Sequence, residues 1–322
     1  MRKITINLAA VAAFCIVVAS PALVSSSCAT PKTEQEDTTI IREDSGITAL
    51  KYSSPEVPAS IEFCGKTIDL SRFDRHERMD RELLAFTYMH STSLQMLKKA
   101  NRYFPIVEPI LKENGIPDDF KYLMVIESNM NPTARSSAGA AGLWQFMQGT
   151  GRDYGLEVNN NVDERYHIEK ATRAACRYLK DAYAKYKDWV AVAASYNAGQ
   201  ARIASQLAKQ DVDDSLDLQL VEETARYVYR ILAAKQLFNA PTTFGFRLRA
   251  SDLYPPIPYT EITVTKGIAD LALFARSKGI NLAILKNMNP WLRETSLSNH
   301  SGRTYVIKIP VSYTHLTLPT KL

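Results

Sequence analysis

Pro117-Asp118-Asp119-Phe120-Lys121-Tyr122-Leu123-Met124-Val125-Ile126-Glu127-Ser128 has the marks of a buried helix that carries an ionisable group on its apolar side. Proline suits a first helical turn, and the two aspartates sit near the positive end of the helix dipole. Phe120, Leu123, Met124 and Glu127 recur at i, i+3, i+4 and i+7, which places them on one face. A carboxylate there is costly unless it is paired or protonated. Taken alone, the pattern favours a plainer reading, in which Glu127 escapes to water at the helix end or pairs with a nearby arginine.

Around this helix the chain is mostly helical in period. Between Arg78 and Glu113 an apolar stripe runs through Leu83, Leu84, Phe86, Leu94, Leu97, Ile106 and Ile110, and Pro105 is predicted to break it. Helical patterns continue to Asn239, interrupted by a Gly/Ala/Ser-rich stretch at 136–142, and a connector with Pro255, Pro256 and Pro258 follows. Residues 259–310 change character. Ile262 and Val264 alternate with polar neighbours, two short helical patterns span Asp270–Lys278 and Leu282–Asn287, and Tyr305, Ile307 and Ile309 alternate again. This predicts a small separate βααβ domain beside a mainly α body.

The chain starts Met1-Arg2-Lys3, runs apolar from Leu8 to Val24, and reaches Ser25-Ser26-Ser27-Cys28. That is the layout of a secretory signal peptide over 1–28; a membrane anchor is the alternative, but Ser20 and Pro21 interrupt the short run. Export to the periplasm or cell envelope is expected. Cys28 stands where a lipoprotein signal carries its acylated cysteine, although Ser25 replaces the usual apolar residue, so lipid anchoring stays open. Cys15 lies inside the signal, and Cys64 and Cys176 could pair in an oxidising compartment. Residues 29–65 read as a polar linker. The tail 312–322 resembles translated adapter sequence and is set aside.

A net charge of +5 leans weakly toward anionic partners such as a wall polymer or lipid surface. No dense Lys/Arg patch points to nucleic acid. The histidines at 76, 90, 167, 300 and 315 show no metal-ligand spacing, and no phosphate loop or dinucleotide fingerprint is present, so neither metal nor cofactor is expected.

Downstream of Glu127-Ser128 come three further motifs: Gly139-Ala140-x-Gly142-Leu143-x-Gln145, Tyr196-Asn197-Ala198-Gly199, and Glu223-Thr224 with Tyr227-Val228. Small residues allow close approach of a ligand to backbone, Gln145 offers a directional amide, and Gly199 suits a helix C-terminus. In this order and spacing they resemble the lysozyme-like SLT domain of the lytic transglycosylases, related to goose-type lysozyme, over roughly residues 78–240.

The resemblance implies a lysozyme-like helical domain over 66–245, with an N-terminal helical extension, and a LysM-like module over 259–310. It also implies cleavage of peptidoglycan glycan strands between N-acetylmuramic acid and N-acetylglucosamine, leaving 1,6-anhydromuramyl ends. Glu127 would serve as acid and then base, with Ser136, Gln145, Tyr196, Asn197 and Glu223 contacting substrate. Three of these have plainer alternatives: Ser136 as a loop cap, Tyr196 as a core residue, Glu223 as a helix-end residue. Trp144 departs from the methionine common in the family and fits either a subsite or the core. In the module, Ile268-Ala269 replaces a polar pair often seen after the glycine, which bears on glycan binding and not on the fold. The enzyme is expected to be a monomer, with outer-membrane association open. A water-using muramidase and a catalytically silent wall-binding protein are the rival readings.

Overall fold

A computed structural model describes residues 53–300 and 302–311. The signal peptide, Cys28, most of the expected linker and the tail 312–322 lie outside the described residues. The expected linker ends early. From Ser60 the chain forms a hairpin of β1 (Ser60–Phe63) and β2 (Lys66–Asp69), with Ser60 opposite Asp69 and Phe63 opposite Lys66. Cys64 and Gly65 both take positive φ, 54° and 83°, the turn geometry that matches strand twist. Phe63 is fully buried, its ring 5.9 Å from that of Phe120. Cys64 and Cys176 are both free thiols.

Two long helices follow, α1 (Phe73–Tyr88) and α2 (His90–Glu113). The break falls at Met89, and Pro105 does not break the helix: Pro105 and Pro109 both lie inside α2. Both prolines are exposed, and the carbonyls they leave unpaired belong to Asn101 and Pro105, themselves exposed, so water can satisfy them. The short α3 (Phe120–Ser128) is preceded by a tight turn in which Phe120, Lys121 and Tyr122 donate to the carbonyls of Pro117, Asp118 and Asp119. Asp119 does not cap the helix. Its carboxylate accepts from the Cys64 N–H at 2.7 Å and from Lys235 at 2.9 Å, fastening the hairpin to the body.

After α4 (Gln148–Asp153), α5 (Ile168–Tyr186) and α6 (Trp189–Ala198), the chain forms α7 (Gln200–Gln210) and α8 (Glu222–Asn239). α8 packs against α1, α3 and α6. Tyr229, Ile231, Leu232 and Leu237 of α8 are buried with Leu123, Met124 and Val125 of α3. Each such side chain contributes roughly 1.5–3 kcal/mol by leaving water. The buried Glu82 of α1 pairs with Arg226 of α8 at 2.5 Å.

The C-terminal unit has the predicted order: β3 (Tyr259–Val264), α9 (Leu271–Ser277), α10 (Leu282–Met288) and β4 (Tyr305–Pro310). The strands pair antiparallel, Tyr259 opposite Pro310. Asp270 caps α9 through the Ala272 and Leu273 N–H groups, and Asn281 caps α10 through Ile284 N–H. Asn289 is fully buried; its amide donates to Leu285 and Lys308 carbonyls and accepts from Lys308 N–H. The apolar cluster of this unit includes Ala141, Val162 and Tyr166 of the helical body. No described helix is long and apolar enough to cross a membrane.

Candidate active site

Glu127 lies in the last turn of α3 and is partly buried. Burial pushes its carboxyl up to about 7; Tyr227 and Arg230 oppose the shift, and Glu223 adds to it. Tyr227, buried on α8, donates its O–H to Oε1 of Glu127. The hydrogen bond from Tyr227 engages Oε1 alone. Burial and then the Glu127 charge hold both Tyr227 and Tyr196 well above the ordinary phenol range, so both act as neutral phenols. An acid poised near neutrality can both give and take a proton.

Immediately after α3, Asn129 and Met130 take left-handed backbone at φ 49° and 57°. Asparagine tolerates this region; methionine does so at a cost of order 1–3 kcal/mol, held here by full burial of Met130. The chain then enters the glycine-rich motif loop. A Cβ on Gly142, at φ 78°, would stand 1.9 Å from the Arg165 carbonyl oxygen. Gln145 is also left-handed, at φ 48°, and its amide donates to the carbonyls of Gly142 at 2.7 Å and Ala134 at 3.3 Å. Its nitrogen is therefore engaged by the loop itself, leaving the carbonyl oxygen as its free polar end. Ser136 is exposed; its hydroxyl accepts from Ala140 N–H at 3.0 Å, the loop-capping alternative, with the hydroxyl proton still free to turn outward. Trp144 is fully buried and donates to Thr172 at 2.9 Å, so it packs the core and lines no subsite.

Tyr196 and Asn197 occupy the last turn of α6, which ends at Gly199 with φ 86°. The Tyr196 hydroxyl donates to the Trp144 carbonyl at 2.8 Å, and its ring stands edge-on to Tyr178 at 5.1 Å. It orients the motif loop and does not hydrogen-bond Glu127. Asn197 accepts from Thr224 at 3.0 Å, joining α6 to the start of α8. Glu223 is exposed in the first turn of α8. The fold thus brings Tyr196 and Glu223 each within electrostatic reach of Glu127 and fastens Ser136 and Gln145 into one adjoining loop. Two residues escaped the sequence reading. Tyr227 was visible only as a motif member, although a tyrosine on the apolar face of a helix needs a partner for its hydroxyl. Arg165, with a side chain 7% exposed, pairs with Asp163 at 2.7 Å and donates to the carbonyls of Gly139 and Phe146. No histidine, cysteine or carboxylate cluster fit for a metal occurs among the described residues.

Residues 105–217 match the family described as Transglycosylase SLT domain, and residues 260–313 match the Soluble lytic transglycosylase C-terminal LysM-like domain. Among individual proteins the chain is similar to membrane-bound lytic murein transglycosylase D of Escherichia coli, 28% identical over 236 residues, covering 72% of this chain and 50% of that protein. It is also similar to peptidoglycan transglycosylase gp16 of Escherichia phage T7, 30% identical over 138 residues, covering 41% of this chain and 10% of that protein. The chain spans about half the length of its Escherichia coli relative. Among solved structures, the 70 kDa soluble lytic transglycosylase of Escherichia coli aligns with a TM-score of 0.41 and 19% identity, covering 58% of this chain and 32% of that chain. An inactive mutant of lytic transglycosylase Slt from Pseudomonas aeruginosa aligns at 0.37 and 22%, covering 48% and 26%.

Proposed function

We propose that this chain is an exported peptidoglycan lytic transglycosylase, acting in the periplasm or cell envelope, that cleaves between N-acetylmuramic acid and N-acetylglucosamine without water. Glu127 protonates the glycosidic oxygen, then takes the proton from the C6 hydroxyl of the muramyl sugar as that oxygen attacks C1. The bond to the leaving sugar breaks, a C1–O6 bond forms, and the product ends in a 1,6-anhydro ring. The observation that carries this reading is the Glu127 carboxyl, raised to about 7 by burial and held by Tyr227. Ordinary glycosidases use two carboxylates, one of them to supply a nucleophile or activate water. Here the nucleophile is part of the substrate, and intramolecular attack reaches very large effective molarities, so one carboxyl suffices. Ser136, the Gln145 carbonyl and Asn197 bind the sugars, Tyr196 shapes the loop beside them, and Glu223 lines the entrance. The C-terminal module adds contact with the wall.

Glu223 is the observation that favours a second reading. It is exposed and close enough to raise Glu127, so it could activate a water as in an inverting hydrolase. Mass spectrometry of fragments released from purified sacculi separates the two. Anhydro ends, each lighter by one water, are expected from the natural chain. Glu127→Gln should fold and lose at least ~10²-fold in rate. Reducing ends would establish the hydrolase, and full activity of Glu127→Gln would remove Glu127 from the mechanism.

A further inference from the structure

The C-terminal module meets the helical body along residues 157–169, and the same segment holds the motif loop. Toward the module, Asp163 N–H donates to the Trp291 carbonyl and Arg293 N–H to the Asn161 carbonyl, both at 2.9 Å, while Val162 and Leu292 form an antiparallel bridge. The Asn161 amide spans two turns of the module, donating to Ser296 O and accepting from Ser298 N–H, each at 2.8 Å. The Arg293 guanidinium lies 4.3 Å from the centre of the Tyr166 ring. Toward the motif loop, Arg165 donates to the Gly139 carbonyl at 2.8 Å and the Phe146 carbonyl at 3.0 Å, and its own carbonyl fills the space that Gly142 leaves open. Ala141, inside the loop, packs in the module's apolar cluster.

We infer that the module is a clamp that positions the substrate-binding loop 136–146, a role separate from any anchoring on the wall. This rests on the glycan-cleaving reading above. A tethered anchor needs no contact with the catalytic body. Here one short segment hydrogen-bonds the module and, through Arg165 and Asp163, the loop. The loop carries left-handed backbone at Gly139, Gly142 and Gln145; the glycines adopt it freely, but Gln145 keeps it only where its surroundings over-determine it. Loosening the clamp frees Ser136 and Gln145 from their binding positions. Glu127 lies outside the clamp, on α3 against α8, so its chemistry stays in place.

The test uses the full chain carrying Asn161→Ala, with Arg293→Met as an independent variant at an exposed position. Turnover is measured on a soluble glycan tetramer of alternating N-acetylglucosamine and N-acetylmuramic acid, which needs no wall anchor. Hydrogen exchange of the loop and pull-down on sacculi accompany it. The clamp predicts faster exchange over 139–146, KM raised at least about fivefold, kcat within about twofold and an unmoved pH profile. Unchanged loop exchange and unchanged KM on the tetramer would overturn it, even where wall binding falls. If the natural chain cleaves neither tetramer nor sacculi, the glycan-cleaving reading fails, and loop exchange still decides the clamp.

Discussion

Tyr227 tunes the Glu127 carboxyl through one hydrogen bond. Its hydroxyl favours the ionised carboxylate, while burial favours the neutral acid, and burial wins. Because the carboxyl is raised above its ordinary value in the folded chain, the native state keeps a proton that the unfolded chain has lost between pH 4.5 and about 7. Stability from this group therefore falls as pH rises through that window. Tyr227→Phe removes the donor, so the carboxyl must rise further and stay protonated to higher pH. The alkaline limb of kcat/KM should move upward, with the plateau lowered about tenfold as Glu127 loses its orienting bond. A pH–rate profile checks this; a limb that stays or moves down would place Tyr227 outside the control of Glu127.

At the scale of elements, the motif loop is shaped by one backbone approach. Gly142→Ala would place a methyl within 1.9 Å of a carbonyl oxygen, at a φ that alanine rarely adopts. Backbone on both sides must move, and a loss of about 3 kcal/mol or more is expected. Gly149→Ala is the matched control: it lies within α4, its Cβ meets nothing within 4 Å, and it should be neutral or gain up to ~1 kcal/mol. Denaturant unfolding of the two variants gives the comparison, and equal midpoints would show that the loop gives way at Gly142. The same elements show what the sequence could carry. The helix of Glu127 and the βααβ unit were legible because each repeats an apolar period over enough residues. The hairpin was not, because a four-residue strand among prolines and charges offers too few alternations to register. Pro105 misled because its helix presents it outward, a fact of packing that period alone does not contain. Asp163-Glu164-Arg165 is a run of three charged residues, yet all three are buried; only the fold reveals that the arginine hydrogen-bonds the loop.

Across the whole molecule, the body and the C-terminal module share too much to unfold apart. Val162 and Tyr166 belong to the module's apolar cluster, and Trp291 stacks between His167 and Tyr305, at 5.9 and 5.6 Å. Lys308 of β4 pairs with Glu169 at the start of α5. Burial pushes the Glu169 carboxyl up, but His167 and Lys308 prevail and hold it down at about 2. Its stabilising contribution is therefore present above the ordinary carboxylate range and fades as pH falls toward 2. Separating the module would expose Trp291, Val162 and Tyr166 together and leave the buried Arg165–Asp163 pair near water. A buried apolar side chain is worth about 1.5–3 kcal/mol, and several are shared across this seam, so the two regions should melt as one cooperative unit. Calorimetry at neutral pH should show a single transition for residues 53–311, and Lys308→Met should lower its midpoint without splitting it. Two resolved transitions in the natural chain, with the module melting first and the body unaffected, would show that the shared cluster does not couple them.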